Sequence, residues 1–415
     1  MEKKKVFAYV GTWPALLRGS IPGFRATQQT DAVEKTGIFG FHVDLETGDW
    51  TPASTFFTSS MTSEICFSHD GRFLYANDED RNRNGVLHAG GGILAFSINR
   101  ENGELELLNE QSSMGTSPTY VDTDTTGRFA FLANLGNPHD KFVKVIRTRD
   151  GSFAMITEEE EGSLAMFSIR QDGTLTSAIE LAGAGSINPE SPRAGFSHYH
   201  CVKVDPSNRF VLACDTNDKI HVFKIDHKNG KLVPSECPFF ETRARSGPRT
   251  LLFHPSRPWF FVNNQNNSTV YSFSFDSGNG AIEELDWASA VVNNEDAAKS
   301  WTSDMAISPD GNHLYVSNRS LRKLMPHAGC PPDTIAIFKI DQQTGKLTLK
   351  AVTPVEANHP RGVAFAPGGK FLYVAGMDAN AVYRYTVDPD SGTLSDAAVV
   401  ANMPVPSSVR FLTVD

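Results

Sequence analysis

Apolar residues in this chain fall in short runs, each closed by a turn. The clearest stretch lies between Met305 and Lys346. Met305 and Ile307 lead into Ser308-Pro309-Asp310-Gly311. Leu314, Tyr315 and Val316 form a second run that ends at Ser317-Asn318-Arg319. A third run, Ile335 to Ile340, reaches a Gln-Thr-Gly turn, and Leu347 to Leu349 follows as a fourth. Runs of this length, rich in branched and aromatic residues and closed by Asp-Gly or Thr-Gly, predict antiparallel strands joined by hairpins. Four of them make one small sheet.

The pattern recurs. Further copies open at Ile65, Tyr120, Cys201, Leu251 and Gly362, and a shorter one (VFAYVGT, then GIFGFHVDLETGDW) stands near the start. Seven four-stranded copies, about 40–50 residues long where no insert lengthens them, predict a β-propeller. A 3.6-residue apolar period, which a helical solenoid would need, is missing. The first copy lacks the strand before its Asp-Gly turn, and Val409 to Val414 is a strand with no copy of its own. Pairing that strand with Val6 to Val10 would complete the first blade and remove two open edges. The expected fold is therefore all-β: a seven-bladed β-propeller of four-stranded antiparallel blades, one domain over residues 1–415, its ring closed by the N- and C-terminal strands.

With strands lettered A to D from the axis outward, the A–B and C–D turns share one face of the disc. The B–C and D–A connections share the other. The long inserts gather on this second face: 13–36, 79–91, 135–162, 320–333, and 183–197 before the fourth blade. They are expected as irregular loops, with the acidic run Glu158 to Glu161 a solvated charge cluster. Long loops on one rim of a rigid scaffold are where function sits.

Charge narrows the partners. The formal net charge of −10 speaks against nucleic acid or an anionic membrane. It leaves room for a small anion held by local arginines. The five cysteines match no metal spacing and read as reduced thiols, Cys201 and Cys214 in adjacent strands. The start, MEKKKVFAYVGTW, enters the first strand at once, without a signal peptide, and no run reaches transmembrane length. The expectation is a cytoplasmic monomer without cofactor or metal. Dinucleotide fingerprint, phosphate loop, zinc-type spacing and nucleophile elbow are all missing from the sequence.

Candidate chemistry collects on the insert-bearing rim. Before A strands stand His198 and His200 in SHYHCVKVDP, Arg249 in SGPRTLLFHP, Asp304 in SDMAISP and Arg361 in HPRGVAF. After B strands stand Glu79, Asn264 and Arg319. Arginine offers a planar fork for carboxylate or phosphate. Histidine serves as a base near neutral pH, and a nearby carboxylate would fix its tautomer. His254, His69 and His227 fall on the opposite face and read as structural.

These phrases, together with YVGT, DGRFLYANDE, YHCVKVDPSNRFVLACD and SDMAISPDGNHLYVSNR, resemble the lactonase family of seven-bladed propellers along essentially the whole chain. That family includes propeller-type 6-phosphogluconolactonases and carboxymuconate cyclases. The resemblance implies hydrolysis of a sugar-acid lactone. His200, Asp304, Arg249 and Arg361 would be catalytic, and Arg319, His198, Glu79 and Asn264 would bind substrate. The chain departs from the family pattern at Thr250, where histidine is usual, and at Asn264, where a glutamate is usual. Tyr120 stands where the third blade often has histidine. The missing glutamate counts against cyclase chemistry. It also keeps open a propeller that binds a sugar acid or a protein partner without turnover.

Overall fold

A computed structural model describes residues 4–14, 35–80, 90–148, 151–183 and 197–414. Seven four-stranded antiparallel sheets run A-B-C-D. Blade six is typical: Ser300–Ile307, His313–Ser320, Thr334–Ile340 and Leu347–Pro354, each paired with the next. The other inner strands are 2A (Ile65–Phe67), 3A (Pro118–Thr123), 4A (Tyr199–Val204), 5A (Pro248–Phe253) and 7A (Pro360–Phe365). Every A strand touches the A strand of the following blade, all the way round. The one helical element among the described residues is the short 3-10 segment Asn294–Lys299. No helix there is long and apolar enough to cross a membrane.

Closure follows the sequence expectation. Strand 1A is Pro406–Val414, at the very end of the chain, and it pairs antiparallel with 1B, Lys5–Thr12. Its register runs from Lys5↔Val414 to Thr12↔Pro406. Cys201 and Cys214 face each other across strands 4A and 4B as free, buried thiols.

The core lies between the blades. Buried apolar clusters join blades one and two (Phe7, Ile38, Leu74, Phe96), seven and one (Val10, Trp50, Tyr373, Val409), and the pairs between them. A polar link crosses several of these seams. Tyr9, Tyr75, Tyr315 and Tyr373, each in a B strand, donate their hydroxyls to the carbonyls of Gly103, Gly173, Gly392 and Gly48. Each glycine sits in the C–D turn of the following blade. Its φ is positive, between 73° and 85°, and a side chain there would strike a ring of the preceding blade. This explains both recurring phrases, the tyrosine of LY and the glycine of the Thr-Gly-type turns.

The insert at 135–162 is not an irregular loop. It contains a two-stranded hairpin, Asn137–Arg147 with Phe153–Glu160, because residues such as Val145, Phe153 and Met155 favour extended, paired backbone. Most of three other inserts (residues 15–34, 81–89 and 184–196) lies outside the described residues. So do the side chains of Glu158 to Glu160.

The blade link can be tested directly. Gly103→Ala places a Cβ 2.6 Å from the Phe7 ring at a φ of 75°, so equilibrium denaturation should show a loss of about 1–3 kcal/mol. Tyr315→Phe, which leaves the Gly392 carbonyl unpaired, should cost about 1 kcal/mol.

Candidate active site

Side chains of a regular strand stand off the two faces of its sheet. In a radial blade those faces look at the neighbouring blades, not at the axis. The A strands escape this by a bulge. In strand 4A, Tyr199 pairs with Asp215 and Cys201 with Cys214, so His200 is left over. The same extra residue is Thr119 in 3A, Arg249 in 5A, Arg361 in 7A and Ser407 in 1A. In 6A the irregularity spans Ser303 and Asp304. Bulges re-aim side chains, and here they do so at one level around the axis. With Ser63, which holds the matching place just before 2A, the level reads Ser63, Thr119, His200, Arg249, Ser303, Arg361, Ser407.

Several of these residues are spent on the scaffold. Ser63 donates to Thr119 O at 3.4 Å, Thr119 to His200 O at 2.8 Å, and Ser303 to Arg361 O at 3.3 Å. Ser407 donates to Thr62 O, and Arg249 uses one nitrogen on Ser303 O. His200 is different. Its Nδ1 is buried and has no hydrogen-bond partner among the described residues.

The arginines surround that histidine. Arg249, Arg319 and Arg361 are all buried. Gln265 Oε1 accepts from Arg249 Nε at 3.0 Å and from Arg319 Nη2 at 3.1 Å. Arg319 also donates to Thr302 O and has His359 Nε2 at 3.5 Å. Arg361 meets Glu79 at 3.2 Å, with its guanidinium 4.2 Å from the Trp13 ring centre. Burial, reinforced by Arg361, pushes Arg249 down to about 9. Arg319 is likewise pushed down by burial and by the other two arginines. Burial and then the three arginines hold His200 well below its ordinary value, so its imidazole is neutral.

The structure brings His200, Arg249, Arg319, Arg361 and Glu79 together. It treats the other candidates differently. Asp304 lines the same small space as His200, but its carboxylate accepts from Met305 N at 2.9 Å and Val363 N at 3.0 Å and lies 3.6 Å from Arg410. It is anchored to backbone and to a cation, and does not orient His200. His198 is buried, its Nδ1 at 2.8 Å from Leu135 O in the preceding blade. Asn264 is turned into its own blade, where Nδ2 donates to Thr269 Oγ1 at 2.9 Å. Asn134 and Asn318 make the same contact to Ser163 and Thr334. Asn264 is therefore a strand-end device. Gln265, one residue on, occupies the place that Glu79 and Arg319 hold in their blades.

Gln265, Trp13 and His359 were not singled out from sequence. The available signal was the bulge itself. Four A strands open on a proline, in Ser-Pro-Thr, Gly-Pro-Arg, His-Pro-Arg and Val-Pro-Ser, and the residue after the proline is the bulge. The residue before it has a positive φ of 43–64° (Ser117, Gly247, His359, Val405). His254, by contrast, bonds Gly311 O on the turn face, as a structural residue would. Among the described residues no cluster of His, Cys, Asp and Glu is arranged to hold a metal ion.

A family model described as a lactonase, seven-bladed β-propeller, matches residues 25–411. A 6-phosphogluconolactonase of Formosa agariphila is 28% identical over 88% of this chain and 92% of its own length. A 6-phosphogluconolactonase of Bacillus subtilis is 25% identical over 91% and 94%. The solved structure of a periplasmic gluconolactonase of Pseudomonas aeruginosa shares the fold at a TM-score of 0.76, with 22% identity over 98% of this chain and 99% of that one.

The neutral oxygen shared by two guanidiniums makes a testable point. Gln265→Glu would put a carboxylate between Arg249 and Arg319. It should stabilise the protein at pH 7 by about 1–3 kcal/mol, read as a higher thermal midpoint, and weaken binding of anionic ligands to the ring.

Proposed function

This chain belongs to the lactonase family of seven-bladed β-propellers, and on that footing we propose that it hydrolyses an anionic sugar-acid lactone at the bulge ring. One observation carries the reading. Arg249 and Arg319 are buried side by side on neutral oxygens, with no ion pair of their own among the described residues. A buried charge without a counter-ion is costly, and a carboxylate or phosphate on the substrate would supply one.

In this scheme neutral His200 accepts a proton from water as the water oxygen bonds to the lactone carbonyl carbon. Arg249 and Arg361 stabilise the tetrahedral oxyanion. Preorganised donors of this kind contribute a few kcal/mol each. The oxyanion then collapses, the ring C–O bond breaks, and His200 returns the proton to the leaving alkoxide. Glu79 fixes Arg361 against Trp13. Gln265 holds Arg249 and Arg319 on one oxygen. Asp304 enters only as part of the charged floor.

The 6-phosphogluconolactonases named among the relatives favour a phosphorylated aldonolactone as first substrate to try. Lactone opening, followed as acid release above the spontaneous rate, should fall about 10²–10⁴-fold in kcat for His200→Ala. Arg361→Ala should lower kcat/KM as strongly. A panel of 6-phosphoglucono-, glucono-, galactono- and carboxymucono-lactones at background rate with the wild type would overturn the reading.

The pH profile gives a second test. With the His200 pKa depressed in the free protein, the acid limb of kcat/KM should lie below pH 6.5. A bound anion offsets the arginines and raises that pKa, so the acid limb of kcat should lie at higher pH than that of kcat/KM. Coincident limbs would remove His200 as the base.

A further inference from the structure

A second mouth opens between the A strands on the face of the A–B turns. There a cavity of about 310 Å³ is lined by Leu252, Phe253, Pro255, Met305, Ala306, Ile307, Ser308, Pro309 and Val363, with Tyr120, Lys203 and Arg410. Most of the lining residues are apolar, and polar ones reach it from strands 3A, 4A and 1A. That combination, at this size, is the usual form of a small-molecule site.

Tyr120, Lys203 and Arg410 bring donors to the cavity, and the Ser308 hydroxyl is spent on Asp310 and His313 N. Tyr120 is 3% exposed, and its hydroxyl has no hydrogen-bond partner among the described residues. Lys203 Nζ stands 4.9 Å from the Tyr120 ring centre, and its closest carboxylate oxygen, on Asp122, is 3.5 Å away. Arg410 comes from the closing strand and grips Glu64 through Nε and Nη2, each at 2.6 Å. The carboxylates of this region are turned from the cavity and occupied. Glu64 is held by the Arg410 fork, Asp304 by backbone N–H groups, and Asp122 by Val204 N at 2.9 Å and by Lys203. Among the described residues no carboxylate lines the cavity. Burial works against the charge of Lys203 and Arg410, but their acidic neighbours outweigh it and keep both protonated. Burial likewise keeps the Tyr120 phenol protonated.

We propose that this mouth is a second ligand site, for a small monocarboxylate with an apolar body. The carboxylate would accept from Tyr120 Oη and Lys203 Nζ, and the body would lie against Phe253, Pro255, Ile307 and Pro309. A sugar acid is the wrong occupant, because those walls offer its hydroxyls nothing. Tyr120 also lines the small space beside His200. The two sites therefore share a wall, but the inference does not rest on the lactonase reading.

Benzoate is the probe, and benzamide its neutral counterpart, each titrated into the full chain by calorimetry and ligand-observed NMR. Benzoate should saturate, with benzamide at least about tenfold weaker, the loss of one charge-assisted contact. Lys203→Met and Tyr120→Phe should each weaken benzoate. Ile307→Trp, which fills the cavity from its rim without touching the charged groups, should abolish binding and serves if Lys203→Met does not fold. Arg361→Ala should leave benzoate affinity unchanged. No saturation in folded wild type, benzamide as tight as benzoate, or binding lost in Arg361→Ala and kept in Ile307→Trp would each overturn the proposal. The last result would place the anion in the arginine ring.

Discussion

A strand cannot pair every residue with its neighbour and still aim a side chain at the axis of a radial sheet. The bulge resolves that conflict, and the site depends on it. Six A strands give up one register step at the same height. The cost is one unpaired residue in each of those six strands. The result is a ring of positions whose identity is not dictated by packing between blades. Hydroxyl residues at that level stitch each blade to the next. His200 and the arginines use the same freedom for charge and acid–base chemistry.

Charge then sorts the channel into two levels. Near the bulges stand Arg249, Arg319 and Arg361, with Glu79 on Arg361 and Gln265 on the other two. Deeper in, Arg410 and Lys203 are answered by Glu64, Asp304 and Asp122. The upper level therefore seeks an anion, because Arg249 and Arg319 have no ion pair of their own among the described residues. The lower level has carboxylates of its own, and what it leaves unpartnered is the Tyr120 hydroxyl. Neutral His200 belongs to the upper level, and its depressed pKa is a consequence of the positive field that would hold a substrate.

Much of this was legible in the sequence. Asp-Gly and Thr-Gly turns between four apolar runs marked the blades, and the unclaimed strand Val409 to Val414 marked the closure. His200, Arg249, Arg319, Arg361 and Glu79 could be grouped because each stands at a strand end on one rim. What failed was register. Asn264 and Gln265 are adjacent, and only the bulge decides which of them reaches the site. Asp304 looked like a partner for His200 because both precede A strands. Its backbone contacts depend on how strand 6A bends. Trp13 and Arg410 were hidden because they are brought in by the closing of the ring, across 397 positions of sequence from Trp13 to Arg410. The hairpin at 137–160 was missed because insertion into a repeat was equated with lack of strand.

The tyrosine links and the bulge-level stitches all run from one blade to the following one, including across the seam, where Tyr373 reaches Gly48 and Ser407 reaches Thr62. The ring thus has a handed sense of rotation, and the junction made by the chain ends carries the same kinds of bond as those within the chain. A linear stack of repeats can shed a terminal unit and keep the rest. A circle of this kind has no terminal unit. Removing any blade strips a donor face from one neighbour and an acceptor face from another, so the smallest cooperative unit is the whole turn.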